Sequence, residues 1–330
     1  MDQHRAVNPR PVTALPQDRR PIPGPIAILP QPTDFFADAV RLGGGTVADL
    51  SDDTRGILWL STRSADELAA VLSDHPGIGW VQLPNAGVDA VSGVLASHAK
   101  TERLVWTSAK GAYAQPVAEH ALALILALLR LFPKRILATS WSTEKGGTSL
   151  YGLDVLIVGA GGIALEIMRL LESFGVRVTV VRRSAEAVVG AHRTVTADHL
   201  LDVIPDADVV ILAAAFTAST RHLVGETELR AMKDTAILVN IARGGLVDTD
   251  ALAGALASRM IAGAGIDVTD PEPLPDGHPL WNERNIIITP HTADTLEMIE
   301  PLLAERVRAN VVAFLGDGRF EGVVDPTAGY

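Results

Sequence analysis

Short apolar runs alternate along this chain with segments in which apolar residues recur every three or four positions. In the first third of the chain the runs predict strands at residues 26–29, 57–60, 78–83 and 104–107. Between them, segments such as 65–72 have the spacing of an amphipathic helix. Strands that alternate with helices favour parallel sheets covered by helices, which is the α/β class.

A long apolar helix separates these strands from a second series. It is predicted to begin near Pro116, to run through the apolar residues 121–129 and to end before Pro133, because proline cannot continue a helix. The second series predicts strands at residues 154–158, 176–181, 209–213, 236–241, 262–268 and 286–289. A last helix, 301–315, has Pro301 in its first turn and the apolar spacing to return to the first unit.

Composition and charge restrict the partners that the protein can bind. The 330 residues are 48% hydrophobic and 5% aromatic, which suits layered α/β cores and two domains. The formal net charge of -11 repels nucleic acid and anionic lipid.

Cysteine is absent and the histidines show no metal-ligand spacing, so no metal is expected. Without a signal peptide or membrane-spanning run, we expect a cytoplasmic protein with a flexible, proline-rich arm at residues 1–23.

A glycine-rich turn directly follows the predicted strand 154–158. The motif Gly-x-Gly-x-x-Ala consists of Gly159, Ala160, Gly161, Gly162, Ile163 and Ala164. The first glycine permits a tight turn, and the second lets backbone N–H groups approach a pyrophosphate at the positive end of the following helix. The motif in this context predicts a dinucleotide site. The residues expected to contact the cofactor are Gly159, Gly161, Gly162 and Ile163.

The next predicted strand ends on two arginines. Arg182, Arg183 and Ser184 stand where an NAD-selective site usually has an Asp or Glu that accepts hydrogen bonds from the ribose. A guanidinium can pair with a 2′-phosphate, which a carboxylate would repel. These three residues are therefore expected to contact the cofactor, and they favour NADP(H), with NAD(H) as the alternative.

Three stretches in the carboxyl-terminal half carry the most specific signal, each a predicted strand that runs into a loop. They are VNIARGGLVD at 239–248, GAGIDVTDPEPLP at 263–275 and NIIITPH at 285–291. With the glycine turn, they resemble the D-isomer-specific 2-hydroxyacid dehydrogenase family, which includes glyoxylate/hydroxypyruvate reductases and short phosphoglycerate dehydrogenases. The resemblance implies two Rossmann-like or flavodoxin-like domains with parallel sheets and an active-site cleft between them. It assigns residues 24–112 and 294–330 to a substrate-binding domain and 113–293 to an NAD(P)-binding domain.

The resemblance implies that Arg243, Glu272 and His291 are the catalytic residues and that the substrate is a small 2-keto or 2-hydroxy acid. Reduction places negative charge on the carbonyl oxygen as hydride arrives. His291 suits the general acid, and the Arg243 cation suits both the carbonyl and the carboxylate of the substrate. Glu272 would hold the other imidazole nitrogen and favour the protonated ring. In oxidation, His291 becomes the base.

Further contacts follow from the same resemblance. In the first unit, backbone N–H groups of Ala86 and Gly87 are expected to bind the substrate carboxylate. The other residues expected around the cofactor are Thr217, Ala242 and Asp267. A homodimer is expected as well; the apolar helix around 121–129 is either its contact or an interior helix, and the sequence does not choose between the two.

The chain departs from the family pattern near the predicted site. Ala215 and Phe216 replace the usual Pro-Leu, Thr269 replaces the usual Phe, and Asp294 stands where many relatives have a small residue. The substrate therefore stays open. A glyoxylate- or hydroxypyruvate-like acid is favoured over a phosphoglycerate dehydrogenase-type enzyme, which needs further cations for its substrate's phosphate. An alternative of another class is a dinucleotide-sensing regulatory protein, which needs no proton donor.

Overall fold

The structure, a computed structural model, describes residues 5–8, 11–61, 64–101, 104–141, 143 and 145–327. It divides into unit 1, formed by Met1–Tyr113 and Leu296–Tyr330, and unit 2, formed by Ala114–Thr295. The first part of unit 1 ends at Tyr113, where residue 112 was predicted, and its second part begins at Leu296, where residue 294 was predicted. Each unit contains a parallel sheet with helical connections, which confirms the predicted α/β class.

Unit 1 is built on a parallel sheet whose four strands follow chain order. The strands are β1 (Ile26–Leu29), β2 (Gly56–Trp59), β3 (Trp80–Gln82) and β4 (Val105–Thr107). The helices of this half are α1 (Asp34–Leu42), α2 (Ala65–Asp74) and α3 (Ser92–Ser97). Every strand residue except Leu29 is buried, as expected for a parallel sheet that helices cover on both faces.

Unit 2 contains seven parallel strands in the order β11–β10–β9–β8–β5–β6–β7. Its helices are α4 (Ala114–Leu129), α5 (Phe132–Ile136), α6 (Gly162–Leu171), α7 (Leu200–Val203), α8 (Glu226–Ala231) and α9 (Thr249–Ala257). Its strands are β5 (Asp154–Val158), β6 (Arg177–Arg182), β7 (Arg193–Thr196), β8 (Val209–Leu212), β9 (Ile237–Asn240), β10 (Gly263–Ile266) and β11 (Ile286–Ile288). Since β5 lies between β6 and β8, the strand order reverses beside the glycine turn. In open α/β sheets, ligands bind at the carboxyl ends of the strands at such a reversal.

Of the two helix boundaries predicted from proline, the end of α4 before Pro133 is confirmed and the start of the last helix was wrong. The helix α4 ends at Leu129, and Pro133 lies in the first turn of α5, where no intrahelical N–H bond is lost. The last helix, α10 (Leu296–Leu315), begins five residues before the predicted start and holds Pro301 inside it rather than in its first turn. As predicted, α10 belongs to unit 1, where it packs against α1.

Among the described residues, two backbone hydrogen bonds join the segment before Gly24 to the rest of unit 1. The Val7 N–H donates to the Gly111 carbonyl at 2.9 Å, and the Leu15 N–H donates to the Gly318 carbonyl at 3.1 Å. The described part of this segment therefore lies on unit 1, while its flexibility stays a prediction. In the described ranges of the chain, no helix combines the length and apolarity needed to cross a bilayer.

Candidate active site

The glycine turn joins β5 to α6 in unit 2. Gly159 has a φ of 119°, and a methyl group there would collide with the Ala213 carbonyl, so only glycine fits. Gly161 is different, because its φ is -81° and a methyl group there would meet no atom within 4 Å. The protein itself does not require glycine at 161. A ligand that approaches the backbone at the start of α6 would require it, and the turn therefore fits a pyrophosphate.

Arg182, the last residue of β6, follows a residue that contacts the glycine turn. The Gly159 N–H donates to the Val181 carbonyl at 2.8 Å. The Arg182 guanidinium lies 3.7 Å from the Glu186 carboxylate, and the two side chains are 22% and 70% exposed. An ion pair with such an exposed partner is weak, about 0–1 kcal/mol, so a ligand anion can compete for the guanidinium. Arg183 and Ser184 follow and are exposed.

Two further loops at the carboxyl ends of strands hold predicted cofactor residues. After β8, the Thr217 N–H donates to Thr220 Oγ1 at 2.8 Å. After β9, the buried amide of Asn240 accepts from the Ala242 N–H at 3.1 Å and donates to the Arg243 carbonyl at 2.9 Å. The sequence reasoning missed Asn240, although a polar amide at the end of an apolar buried strand is a signal that could have found it.

The structure places His291 and Glu272 in direct contact. Imidazole Nδ1 and carboxylate Oε1 are 2.7 Å apart, and both side chains are 43% exposed. The Thr269 N–H donates to the other carboxylate oxygen at 3.4 Å. Because Nδ1 is engaged by Glu272, Nε2 is the nitrogen left to exchange a proton with a ligand. The third predicted residue, Arg243, uses Nη1 to donate to the Ala242 carbonyl at 2.8 Å.

Asp267 holds the loop that carries His291. Its carboxylate is 2% exposed and accepts from Thr289 Oγ1 at 2.6 Å, from the Thr292 N–H at 2.8 Å and from the Ala293 N–H at 3.0 Å. The His291 N–H donates to the Asp267 carbonyl at 2.8 Å. These bonds support His291 in a left-handed conformation, with φ 53°, that is uncommon outside glycine. The predicted contact of Asp267 with the cofactor stays a prediction.

The helix α4 takes part in the same network through His120. Its Nε2 lies 3.0 Å from Thr289 Oγ1 and 3.5 Å from Asp267 Oδ1. Neither His120 nor Thr289 was among the residues predicted for the site. A threonine two residues before the predicted proton donor carried no signal of its own.

Asp294 lies close enough to the predicted catalytic residues for their charges to act on it. Burial has the largest effect on the Asp294 carboxyl and raises its pKa above the usual range; the positive charges of His291 and Arg243 oppose this rise, and the negative charge of Asp267 adds to it. A partly buried acid thus belongs to the site. In the described part of the chain, no group of three or more His, Asp or Glu residues is arranged to hold a metal ion.

In unit 1, Ala86 and Gly87 lie in the loop after β3 and are partly buried. Neither backbone N–H donates a hydrogen bond to any residue that the structure describes. Unpaired N–H groups at the end of a parallel strand are suited to an anionic ligand such as a carboxylate. Their role in substrate binding stays a prediction.

The chain is similar to known proteins in sequence and in structure. The sequence profile described as D-isomer specific 2-hydroxyacid dehydrogenase, NAD binding domain, matches residues 122–293, just over half of the chain. An uncharacterized protein encoded in the proB 3' region of Corynebacterium melassecola is 41% identical over 260 residues, covering 77% of this chain and 84% of that protein. A glyoxylate reductase of Korarchaeum cryptofilum is 34% identical over 297 residues, covering 85% and 86%.

A solved structure agrees with these matches. The NADPH-dependent glyoxylate/hydroxypyruvate reductase of Sinorhizobium meliloti, crystallised with NADP and malonate, matches with a TM-score of 0.72 and 27% identity. The match covers 93% of this chain and 98% of that one. The resemblance inferred from the sequence motifs is thereby confirmed. The chain belongs to the D-isomer specific 2-hydroxyacid dehydrogenase family of oxidoreductases.

Proposed function

We propose that this protein is an NADP(H)-dependent reductase of small 2-keto acids of the glyoxylate and hydroxypyruvate type. The observation that carries the proposal is the 2.7 Å contact between His291 Nδ1 and Glu272, in a unit that also holds the glycine turn and Arg243. Two relatives named above, the glyoxylate reductase of Korarchaeum cryptofilum and the reductase of Sinorhizobium meliloti, support the choice of substrate.

The chemistry divides between the nicotinamide and three side chains. The nicotinamide, when bound, supplies a hydride for the carbonyl carbon. His291 gives its Nε2 proton to the carbonyl oxygen, so that the keto acid gains one hydride and one proton in all. Glu272 keeps the ring oriented through Nδ1, and Arg243 neutralises negative charge on the substrate. In the oxidative direction, His291 accepts the proton.

The cofactor would be held by the loops already described. The glycine turn would bind the pyrophosphate through Gly159, Gly161, Gly162 and Ile163. The 2′-phosphate would be bound by Arg182, Arg183 and Ser184, and the residues closer to the nicotinamide would be Thr217, Ala242 and Asp267. Use of NADP by the Sinorhizobium meliloti protein supports NADP(H) over NAD(H). Backbone N–H groups of Ala86 and Gly87 would bind the substrate carboxylate.

A substrate panel with both reduced nicotinamides tests this function. We expect turnover of glyoxylate and hydroxypyruvate with a higher kcat/KM for NADPH than for NADH, and little turnover of phosphohydroxypyruvate. Tight NADPH binding without turnover of any 2-keto acid would contradict the proposal and support a dinucleotide-sensing regulator. A preference for phosphohydroxypyruvate would support the phosphoglycerate dehydrogenase-type alternative.

We further propose that the protein forms a homodimer through the segment after α4. Of the two roles predicted for residues 121–129, we take that of an interior helix, because α4 packs against α6, β9 and β10. Three apolar side chains that follow it, Ile136, Leu137 and Trp141, are between 72% and 95% exposed. A second copy of the chain would remove this surface from water.

Light scattering after size exclusion tests this surface. The double variant Ile136→Glu, Leu137→Glu is expected to run as a monomer at a concentration at which the unmodified chain runs as a dimer. Val189, an apolar residue that is 94% exposed elsewhere in unit 2, provides the control, and Val189→Glu should stay dimeric. An unmodified chain of monomer mass, or a double variant that stays dimeric, would rule out this contact.

A further inference from the structure

Asp294 is an acidic residue that keto-acid reduction does not require. It lies three residues after His291, and its side chain is partly buried. The backbone before it is fixed, because Thr292 and Ala293 both donate to the Asp267 carboxylate, at 2.8 and 3.0 Å. Asp294 is therefore held at a defined place near the predicted proton donor rather than on a freely moving loop.

The charges that act on Asp294 belong to the site itself. Burial raises the pKa of its carboxyl, the positive charges of His291 and Arg243 oppose that rise and favour the ionised form, and the negative charge of Asp267 adds to the rise. An ionised carboxylate near both His291 and Arg243 adds negative potential where the reacting keto acid would lie. This potential acts over several ångström without contact, and partial burial reduces the screening by solvent.

We infer that Asp294 selects substrates by the charge on the second substituent of the carbonyl carbon, an inference that rests on the function proposed above. The first substituent is the carboxylate that Arg243 neutralises. When the second is hydrogen or hydroxymethyl, Asp294 has no negative charge to repel. When it carries a carboxylate or a phosphate, the like charges repel each other and the substrate binds poorly. The site therefore takes monoanionic 2-keto acids.

The test compares one monoanionic and one dianionic substrate. In Asp294→Asn, the ratio of kcat/KM for oxaloacetate to kcat/KM for hydroxypyruvate should rise by about tenfold or more, because one like-charge repulsion is removed. A ratio cancels any general loss of activity. Asp294→Ser should change the ratio in the same direction, and the inhibition constant of the dicarboxylate malonate should fall in both variants.

A matched control removes the same charge elsewhere in unit 2. Asp234 is exposed and lies before β9, at the opposite end of the strands from the site, so Asp234→Asn should leave the ratio unchanged. An unchanged ratio in both Asp294 variants, while hydroxypyruvate is still reduced, would overturn the inference and leave the proposed function intact. If the unmodified protein binds NADPH but reduces no 2-keto acid, the proposed function fails and this inference with it.

Discussion

Replacing His291 by Ala is expected to lower kcat for glyoxylate reduction by about 10²- to 10⁴-fold, the usual contribution of a positioned proton donor. The Kd of NADPH should stay nearly unchanged, because the glycine turn and Arg182 lie on other loops of unit 2. Stopped-flow or steady-state assays give kcat, and quenching of protein fluorescence gives the Kd. A normal kcat, or loss of NADPH binding together with activity, would contradict the assignment of His291.

Two variants separate the loss of the imidazole from strain in its loop. His291 has a left-handed backbone, which asparagine tolerates well, so His291→Asn should fold normally and still lose activity. His222 is the matched control, because it is also left-handed, with φ 50°, and lies 3.8 Å from the Asp248 carboxylate. His222→Ala should retain most of the activity. An equal loss in His222→Ala would mean that the effect is not specific to the proton donor.

The second large effect is expected from Arg182→Asp. The ratio of kcat/KM with NADPH to kcat/KM with NADH should fall by about a hundredfold or more. Two charges about 4 Å apart near a protein surface interact by up to about 4 kcal/mol, and solvent screens part of this. The change replaces attraction of a 2′-phosphate by repulsion, whereas a carboxylate at the end of this strand can accept from the ribose hydroxyls of NADH.

Arg193 supplies the control for this change. It is the first residue of β7, and the glycine turn lies at the opposite, carboxyl ends of these parallel strands. The Arg193 side chain is exposed. Arg193→Asp alters the net charge by the same amount, so the ratio should not change. If Arg182→Asp leaves the ratio unaltered, the preference for NADP(H) has another origin and Arg182 is not its determinant.

The best-predicted elements are strands with buried, β-branched residues. For β1 and β5, the predicted and observed bounds agree, because continuous burial on both faces leaves a continuous apolar run. By contrast, β7 was missed, since only one of its four residues is buried and it lies at the sheet edge. Edge strands bury little side-chain surface, so their sequences carry little pattern.

The sequence by itself determined the residue types at the carboxyl ends of the strands. The motif by itself required glycine at 159 for a tight turn, and the positive φ of Gly159 in the structure agrees with that requirement. The resemblance of three motifs to the family likewise predicted catalytic roles for Arg243, Glu272 and His291. The motifs do not specify the contacts that hold those side chains in place.

Only the tertiary structure decided which residues hold the predicted catalytic side chains in place. Asp267 and Thr289 are 22 residues apart along the chain and still form a 2.6 Å hydrogen bond. They meet because Ile266 of β10 pairs with Ile288 of β11, which places the next residue of each strand side by side. Parallel neighbours are joined by long crossover connections, so a motif read along the chain does not say which strand lies beside it. The support of His291 by Asp267 is therefore a property of the folded sheet.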